Sequence, residues 1–269
     1  MAGFLYIGAG LGMSFIAIGR KLTHHTGSEA RLTKAELPFT IAMIVLDIAA
    51  PIFLLLGLSM TTAANVSLLN NFEIVATAVI ALMVFKEAIS PRLWLGILFV
   101  TASCLLLSFE DVTCLQFNTG SLFVLLASIC WGMENNCTRK LSSKDPMQIV
   151  MLKGIFSGCG SVIIGLIIGE RITKAWSIPL VLILGFVAYG LSIFLYVYAQ
   201  RILGAARTSA YYAVAPFIGV ILSLLIFREV PGILFIAALF LMVIGAWLSS
   251  QDKPLKETFR KNQNRSKSS

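Results

Sequence analysis

About nine apolar runs, each of roughly twenty residues and joined by short polar connections, take up almost the whole chain. They fall approximately at 2–20, 38–60, 64–86, 91–109, 120–139, 147–169, 178–200, 207–227 and 231–250. Each has the length needed to cross about 30 Å of hydrocarbon at ~1.5 Å per residue. Lipid offers backbone N–H and C=O groups no partners, so runs of this length are expected to be helices; a closed barrel would need shorter, alternating strands. With 58% hydrophobic and 13% charged residues, too little polar surface remains for a sizeable soluble domain. The expected fold is therefore all-α, a polytopic membrane helix bundle of about nine transmembrane helices. Pro38, Pro91, Pro146, Pro179 and Pro231 lie near run starts, where a missing N–H costs little.

The formal charge of +8 does not point to nucleic acid. Its cations sit in short loops and in the tail from Lys253 to Lys267, rather than on one folded polar face. That distribution orients the chain. With the N-terminus outside, the inner segments hold Arg20, Lys21, Arg31 and Lys34, then Lys86 and Arg92, then Arg139, Lys140 and Lys144, then Arg201 and Arg207, and six tail cations. The outer segments hold only Arg171, Lys174 and Arg228, a bias of 17 to 3. The C-terminus is expected to be cytoplasmic, and the membrane to be the cell (inner) membrane. Residues 1–19 are followed, not preceded, by the basic pair Arg20-Lys21, a layout unlike that of a cleaved signal sequence. Cys104, Cys114, Cys130, Cys137 and Cys159 show no CxxC pair and no metal spacing, and His24 and His25 sit in a charged loop.

The chain repeats itself. Ala-Ala-Asn-Val-Ser at 63–67 corresponds to Ala-Ala-Arg-Thr-Ser at 205–209, an offset of 142. At the same offset, Phe85-Lys86-Glu87 corresponds to Phe227-Arg228-Glu229. Glu87 is expected to face the cytoplasm and Glu229 the outside, so the two copies are inverted, an arrangement common in secondary transporters. The expected division is a first repeat at 1–110, a second at 119–250 and a basic cytoplasmic tail at 251–269. The second repeat has five helices and the first four. Counting back, the missing helix is the first; either the start is internal to a longer reading frame or the chain is a shortened member.

The motifs, in order, resemble those of the EamA-type transporters of the drug/metabolite transporter superfamily. The first half carries Leu5-Tyr6-Ile7-Gly8-Ala9-Gly10-Leu11-Gly12 and Ser67-Leu68-Leu69-Asn70-Asn71-Phe72-Glu73. The second carries Trp131-Gly132-Met133-Glu134-Asn135-Asn136, Asp145-Pro146, Lys153-Gly154, Tyr189-Gly190-Leu191-Ser192, and Leu203-Gly204-Ala205-Ala206-Arg207, reaching Ala215-Pro216-Phe217. The resemblance covers nearly the whole chain. It implies ten helices in two inverted repeats of five, and transport, often export, of small metabolites or drugs.

Ionisable residues inside a membrane are costly and mark functional candidates. Asn70, Glu73 and Thr77 share one face of the third run, with Glu73 near mid-depth. They read as a substrate or proton site, or as a glutamate hydrogen-bonded to a neighbouring helix. Glu134 and Thr138 share a face of the fifth run, with Asn135 beside them and Asn136 pointing elsewhere. Lys153 is expected to pair with Glu134, since each alone is a costly buried charge, or else to snorkel to the interface. Asp47 stands alone four residues before Pro51, lining a cavity or capping the break a proline makes. Tyr189, Ser192 and Tyr196 share one face, and Tyr211 and Tyr212 follow in the eighth run. They suit either a partly apolar solute or helix packing. Glu87 and Glu229, beside Lys86 and Arg228, are interfacial pairs or gate latches. Gly8 and Gly12, Gly154 and Gly158, and Gly165 and Gly169 have the GxxxG spacing of close helix packing.

These residues favour a secondary transporter acting on the lipid bilayer's two sides and on a small-molecule solute. No cofactor is expected, and no Walker motif links the chain to ATP. An intramembrane enzyme is disfavoured, because no HExxH, paired aspartates or Ser/His set is present. A non-transporting membrane sensor or assembly subunit is the alternative.

Overall fold

The computed structural model describes residues 2–22, 29–108, 118–169, 175–227 and 233–251. Every regular element among them is helical: α1 (Ala2–Leu22), α2 (Leu37–Met60), α3 (Ala63–Asn70), α4 (Phe72–Met83), α5 (Pro91–Ser108), α6 (Thr119–Leu141), α7 (Pro146–Leu152), α8 (Gly158–Ile168), α9 (Ile178–Leu184), α10 (Leu191–Leu203), α11 (Ala205–Tyr212), α12 (Ala215–Phe227) and α13 (Ile233–Ser250). Wider π-helical turns, Lys153–Ser157 and Gly185–Gly190, join α7 to α8 and α9 to α10. Large apolar side chains face outward, Phe15 at 74% exposure and Ile167 at 78% among them. Only a hydrocarbon solvent tolerates such a surface. By length and composition, the segments Gly3–Arg20, Lys34–Met60, Pro146–Ile168, Ile178–Leu203 and Ile233–Ser250 are apolar enough to cross a membrane.

The chain divides into two compact units. The first holds residues 1–49 and 137–201. Its centre is α1, which lies against both π-interrupted helices. Backbone meets backbone there: a Cβ on Gly10 would stand 2.7 Å from the Ile155 nitrogen, and one on Gly158 would stand 2.8 Å from the Ile7 nitrogen. Gly8 is packed in the same way against the Leu182 backbone, and Gly12 against the Phe186 ring. The packing role expected of these glycines holds, but Gly169 differs. It has open space around it and φ +91°, and it ends α8 in the left-handed conformation that glycine adopts freely. At the polar edge of this unit, Asp145 caps α7 by accepting from the Met147 N–H (2.9 Å). Lys144 pairs with Glu36 (3.2 Å). The Arg201 guanidinium donates to the Ser142 and Lys144 carbonyls beyond the end of α6 and pairs with Glu29 (3.0 Å).

The second unit holds residues 50–136 and 202–269. Its apolar core joins Ile74, Ala78 and Ala81 of α4 to Ile97 and Val100 of α5, Ala206 and Ala210 of α11, and Phe235 and Met242 of α13. Phe217 stacks at a tilt on Phe235, 5.7 Å between ring centres. The alanines let α4 and α11 approach closely, since attraction between helices in lipid comes from contact rather than from expelled water.

Two of the expected single helices are broken. The run at 64–86 is split at Asn71, and the run at 207–227 at Ala213 and Val214. Position 71 plus the offset of 142 is 213, so both repeats break at the same register. The repeated Ala-Ala motif opens an eight-residue half-helix in each case, α3 and α11. The second break has a covalent cause: Pro216 has no N–H to donate back to the Tyr212 carbonyl. The first is held by side chains that compete with the helical ladder. Asn71 Nδ2 donates to the Cys104 carbonyl (3.3 Å), and the Ser128 hydroxyl donates to the Leu69 carbonyl (3.3 Å).

Candidate functional site

Some of the site residues expected from the sequence meet in two clusters, one in each unit. In the second unit, the α3–α4 break places Asn70 at the end of one half-helix and Glu73 in the first turn of the next. Carboxylates are favoured at that end by the helix dipole. Helix α6 lies along this break with a polar residue every seventh position. Ser121 accepts from Asn65 Nδ2 (2.9 Å), Ser128 meets the Leu69 carbonyl, and Asn135 Nδ2 donates to Glu73 Oε1 (2.9 Å) and Thr77 Oγ1 (3.3 Å). Asn136, which the sequence turned away, donates its Nδ2 to the Thr77 carbonyl (3.0 Å) and the Gly132 carbonyl (2.8 Å). Gly132 makes this possible: a Cβ there would stand 2.9 Å from the Thr77 nitrogen. The Oδ1 atoms of Asn70 and Asn136 are buried with no hydrogen-bond partner among the described residues. The spacing of Ser121, Ser128 and Asn135 was a legible signal that the single-residue reading passed over.

In the first unit, Asp47 does not stand alone. It is buried, at 1% exposure, and its Oδ1 accepts from the Tyr6 hydroxyl (3.0 Å) and pairs with Lys153 Nζ (3.4 Å). Lys153 is buried rather than snorkelling to the interface, and it pairs with Asp47, a partner the sequence reading did not name. The π turn beginning at Lys153 sets the direction of that side chain. Tyr189, on the other π turn, meets Tyr6 edge-on at 5.4 Å, so one phenol is oriented by the second. Tyr6 was read only as part of a motif; nothing in its own spacing singles it out. Ser192 and Tyr196 on α10, and Tyr211 on α11, are half-buried. Glu134 and Thr138 are buried on α6.

Glu87 is not a solvated interfacial residue. Lys86 takes φ +55°, which turns Glu87 inward, and its Oε2 accepts from the Ala205 N–H (3.2 Å). The carboxylate thus caps α11 over Gly204, whose φ of +88° and missing Cβ leave room for it. Glu229 and the cationic tail lie outside the described residues. Arg207, counted above among the loop cations, is buried in α11.

A membrane-embedded helical bundle with paired helix breaks and buried polar clusters is the architecture of a solute transporter. The chain matches the model of the EamA-like transporter family twice, at residues 1–109 and 118–251, and belongs to that family. It is 27% identical to an uncharacterized transporter of Methanothermobacter thermautotrophicus over 266 residues, 89% of this chain and 76% of that one. It is 21% identical to the uncharacterized transporter YyaM of Bacillus subtilis, over 72% of this chain and 66% of that one. A crystal structure of a protein with 14% identity shares the fold at a TM-score of 0.77, covering 93% of this chain and 85% of the other.

Proposed function

We propose that this chain is a secondary transporter that exports a small metabolite or drug-like solute by alternating access, through two inverted repeats at 1–110 and 119–250. It resides in the cell (inner) membrane with the tail at 251–269 in the cytoplasm. The observation that carries the reading is the pair of helix breaks at one register of the repeat. Interrupted helices in corresponding positions of two halves expose backbone groups at mid-membrane, where transporters bind solutes and coupling ions. Asn70, Glu73, Thr77 and Asn135 at the first break form the solute or proton site, and Glu73 is the carboxyl that carries charge through the cycle. Asp47, Lys153 and Tyr189, with Ser192, Tyr196 and Tyr211, contribute to solute recognition; Glu134 and Thr138 add polar groups on α6. Glu87 is a gate residue because its carboxylate holds the start of a half-helix.

The test is a melting screen of the purified chain against metabolites and drugs, run beside Glu73→Gln, followed by flux of each hit in liposomes. A ligand at about a hundred times its Kd adds about 2.7 kcal/mol to the folded state. The reading expects a hit that wild type carries across the bilayer and that Glu73→Gln binds or couples poorly. Full coupled flux in Glu73→Gln at every pH, or ligand binding with no flux in wild type, overturns it.

A further inference from the structure

The polar edge of the first unit carries more positive charge than its own carboxylates balance. Three segments meet there. The strap from Glu29 to Glu36, just ahead of α2, is tied to the turn between α6 and α7. The Asp145 N–H donates to the Ala30 carbonyl (2.9 Å), the Leu32 N–H donates to Gln148 Oε1 (2.9 Å), and Glu36 holds Lys144 (3.2 Å). Arg201, near the end of α10, joins them through Glu29 and the two carbonyls of the turn. Residues 29–36, residues 139–148 and Arg201 together hold six cations, Arg31, Lys34, Arg139, Lys140, Lys144 and Arg201, against three carboxylates, Glu29, Glu36 and Asp145. Each carboxylate is engaged: Glu29 with Arg201, Glu36 with Lys144 and Thr33, and Asp145 with the Met147 N–H. The side chains of Arg31, Lys34, Arg139 and Lys140 have no ion pair or hydrogen bond among the described residues. Arg139 Nε is buried without a partner, and Arg31, Lys34 and Lys140 are exposed. Arg31 is held in place nonetheless, because both its neighbours in the chain are pinned to the α6–α7 turn.

This edge lies where the hydrocarbon ends. Lys34 opens one apolar span, Pro146 opens another, and Arg201 stands near the close of a third. One turn into α2 from Lys34, an apolar stripe begins: Leu37, Ile41 and Val45, spaced by one helical turn, are exposed at 53%, 52% and 55%. A cation at the interface with an apolar stripe running inward from it matches the two parts of a phospholipid, its phosphate and its acyl chain. The charge excess selects among lipids. A zwitterionic headgroup brings its own cation into the same field, whereas an anionic one brings only the opposite charge. Inorganic phosphate has the charge but nothing to cover the stripe.

We propose that Arg31, Lys34, Arg139 and Lys140 form an edge site for the headgroup of an anionic phospholipid, with Leu37, Ile41 and Val45 as the path of its acyl chain. The site goes beyond the transport reading and does not depend on it. Glu29 and Glu36 serve it indirectly: by neutralising Arg201 and Lys144 they fix the strap in place and leave the other four cations for lipid.

Thermal melting of the full chain in neutral detergent tests it, with phosphatidylglycerol, phosphatidylcholine or inorganic phosphate titrated at matched ionic strength. Phosphatidylglycerol should raise the melting temperature with saturation, and the other two should do so far less. In R31Q/K34Q/K140Q the three replaced side chains are exposed and make no bond within the described chain, so this variant should fold. Its apparent affinity for phosphatidylglycerol should fall about fivefold per cation removed, or about a hundredfold in all. Replacing the six tail cations, Lys253, Lys256, Arg260, Lys261, Arg265 and Lys267, by glutamine should leave most of the response in place. No response of the wild-type chain to phosphatidylglycerol, an equal response to phosphatidylcholine, an undiminished response in R31Q/K34Q/K140Q, or loss of the response with the tail cations overturns the proposal. An equal response to inorganic phosphate also overturns it, by showing a site for a free anion instead of a lipid. None of these outcomes touches flux by the wild-type chain in liposomes, so failure of the lipid site and failure of the transporter reading remain separate results.

Discussion

Asn135→Leu is the most informative single change at the α3–α4 break. Leucine keeps asparagine's branch at Cγ but carries no donor, so both donated bonds are lost. Those bonds run to Glu73 Oε1 at 2.9 Å and to Thr77 Oγ1 at 3.3 Å. In water, a hydrogen bond to a charged group contributes about 1.5–3 kcal/mol. Between membrane helices the measured couplings average about 0.6 and reach about 1.7 kcal/mol, because the unfolded chain in lipid also finds partners. The short bond to a carboxyl belongs near the top of the membrane range and the longer one to a hydroxyl near the bottom. The expected loss is about 2 kcal/mol, or about thirtyfold in the folded-to-unfolded ratio. The assay is reversible unfolding in mixed micelles, run as a double-mutant cycle with Glu73→Leu. The coupling energy should reach about 1–1.7 kcal/mol, because once either partner is gone the other loses little more. Single-mutant effects that add to within about 0.5 kcal/mol would refute the reasoning, since residues without a shared interaction behave that way.

Gly204→Ala forces a side chain into φ +88° and against the Glu87 carboxylate; a loss of about 2 kcal/mol or more is expected in thermal unfolding, whereas Glu87→Gln, which keeps an acceptor for the Ala205 N–H, should lose about 1 kcal/mol. Arg201→Lys should destabilise by about 1 kcal/mol, more than Glu29→Gln, because lysine cannot fork across the Ser142 and Lys144 carbonyls while the exposed ion pair contributes little; denaturant titration of the two variants checks the order. Ser128→Ala should loosen the α3–α4 break, seen as faster amide hydrogen exchange at residues 69–74 with α5 and α13 unchanged.

The lengths of the apolar runs, the sign pattern of the loops and the repeat at one offset are one-dimensional properties. They carry the fold class because lipid removes every backbone solution but the helix. Asn70, Glu73 and Thr77 were legible as one polar face for the same reason, since polar groups in an apolar run need partners, but Asn135 was legible only beside Glu134 and Thr138, and its bond to Glu73 came from the fold. The helix breaks were only half legible. Pro216 announces one, but at Asn71 the break depends on the Cys104 carbonyl of α5 and the Ser128 hydroxyl of α6, both far away in the chain.

Partner choice is where sequence reasoning stopped. Lys153 needed a carboxylate, and the sequence offered Glu134; the pairing with Asp47, more than a hundred residues earlier, came only with the folded chain, where Lys153 opens a π turn. Glu87 looked solvated because it ends an apolar run beside a lysine, yet the left-handed turn at Lys86 and the missing Cβ of Gly204 draw it inside. By itself the sequence determined that this chain lives in a membrane as helices, with its costly polar groups in a few places. The tertiary structure decided which of those groups satisfy one another, because that depends on helix rotation and breaks, and these are settled by packing between segments distant in sequence.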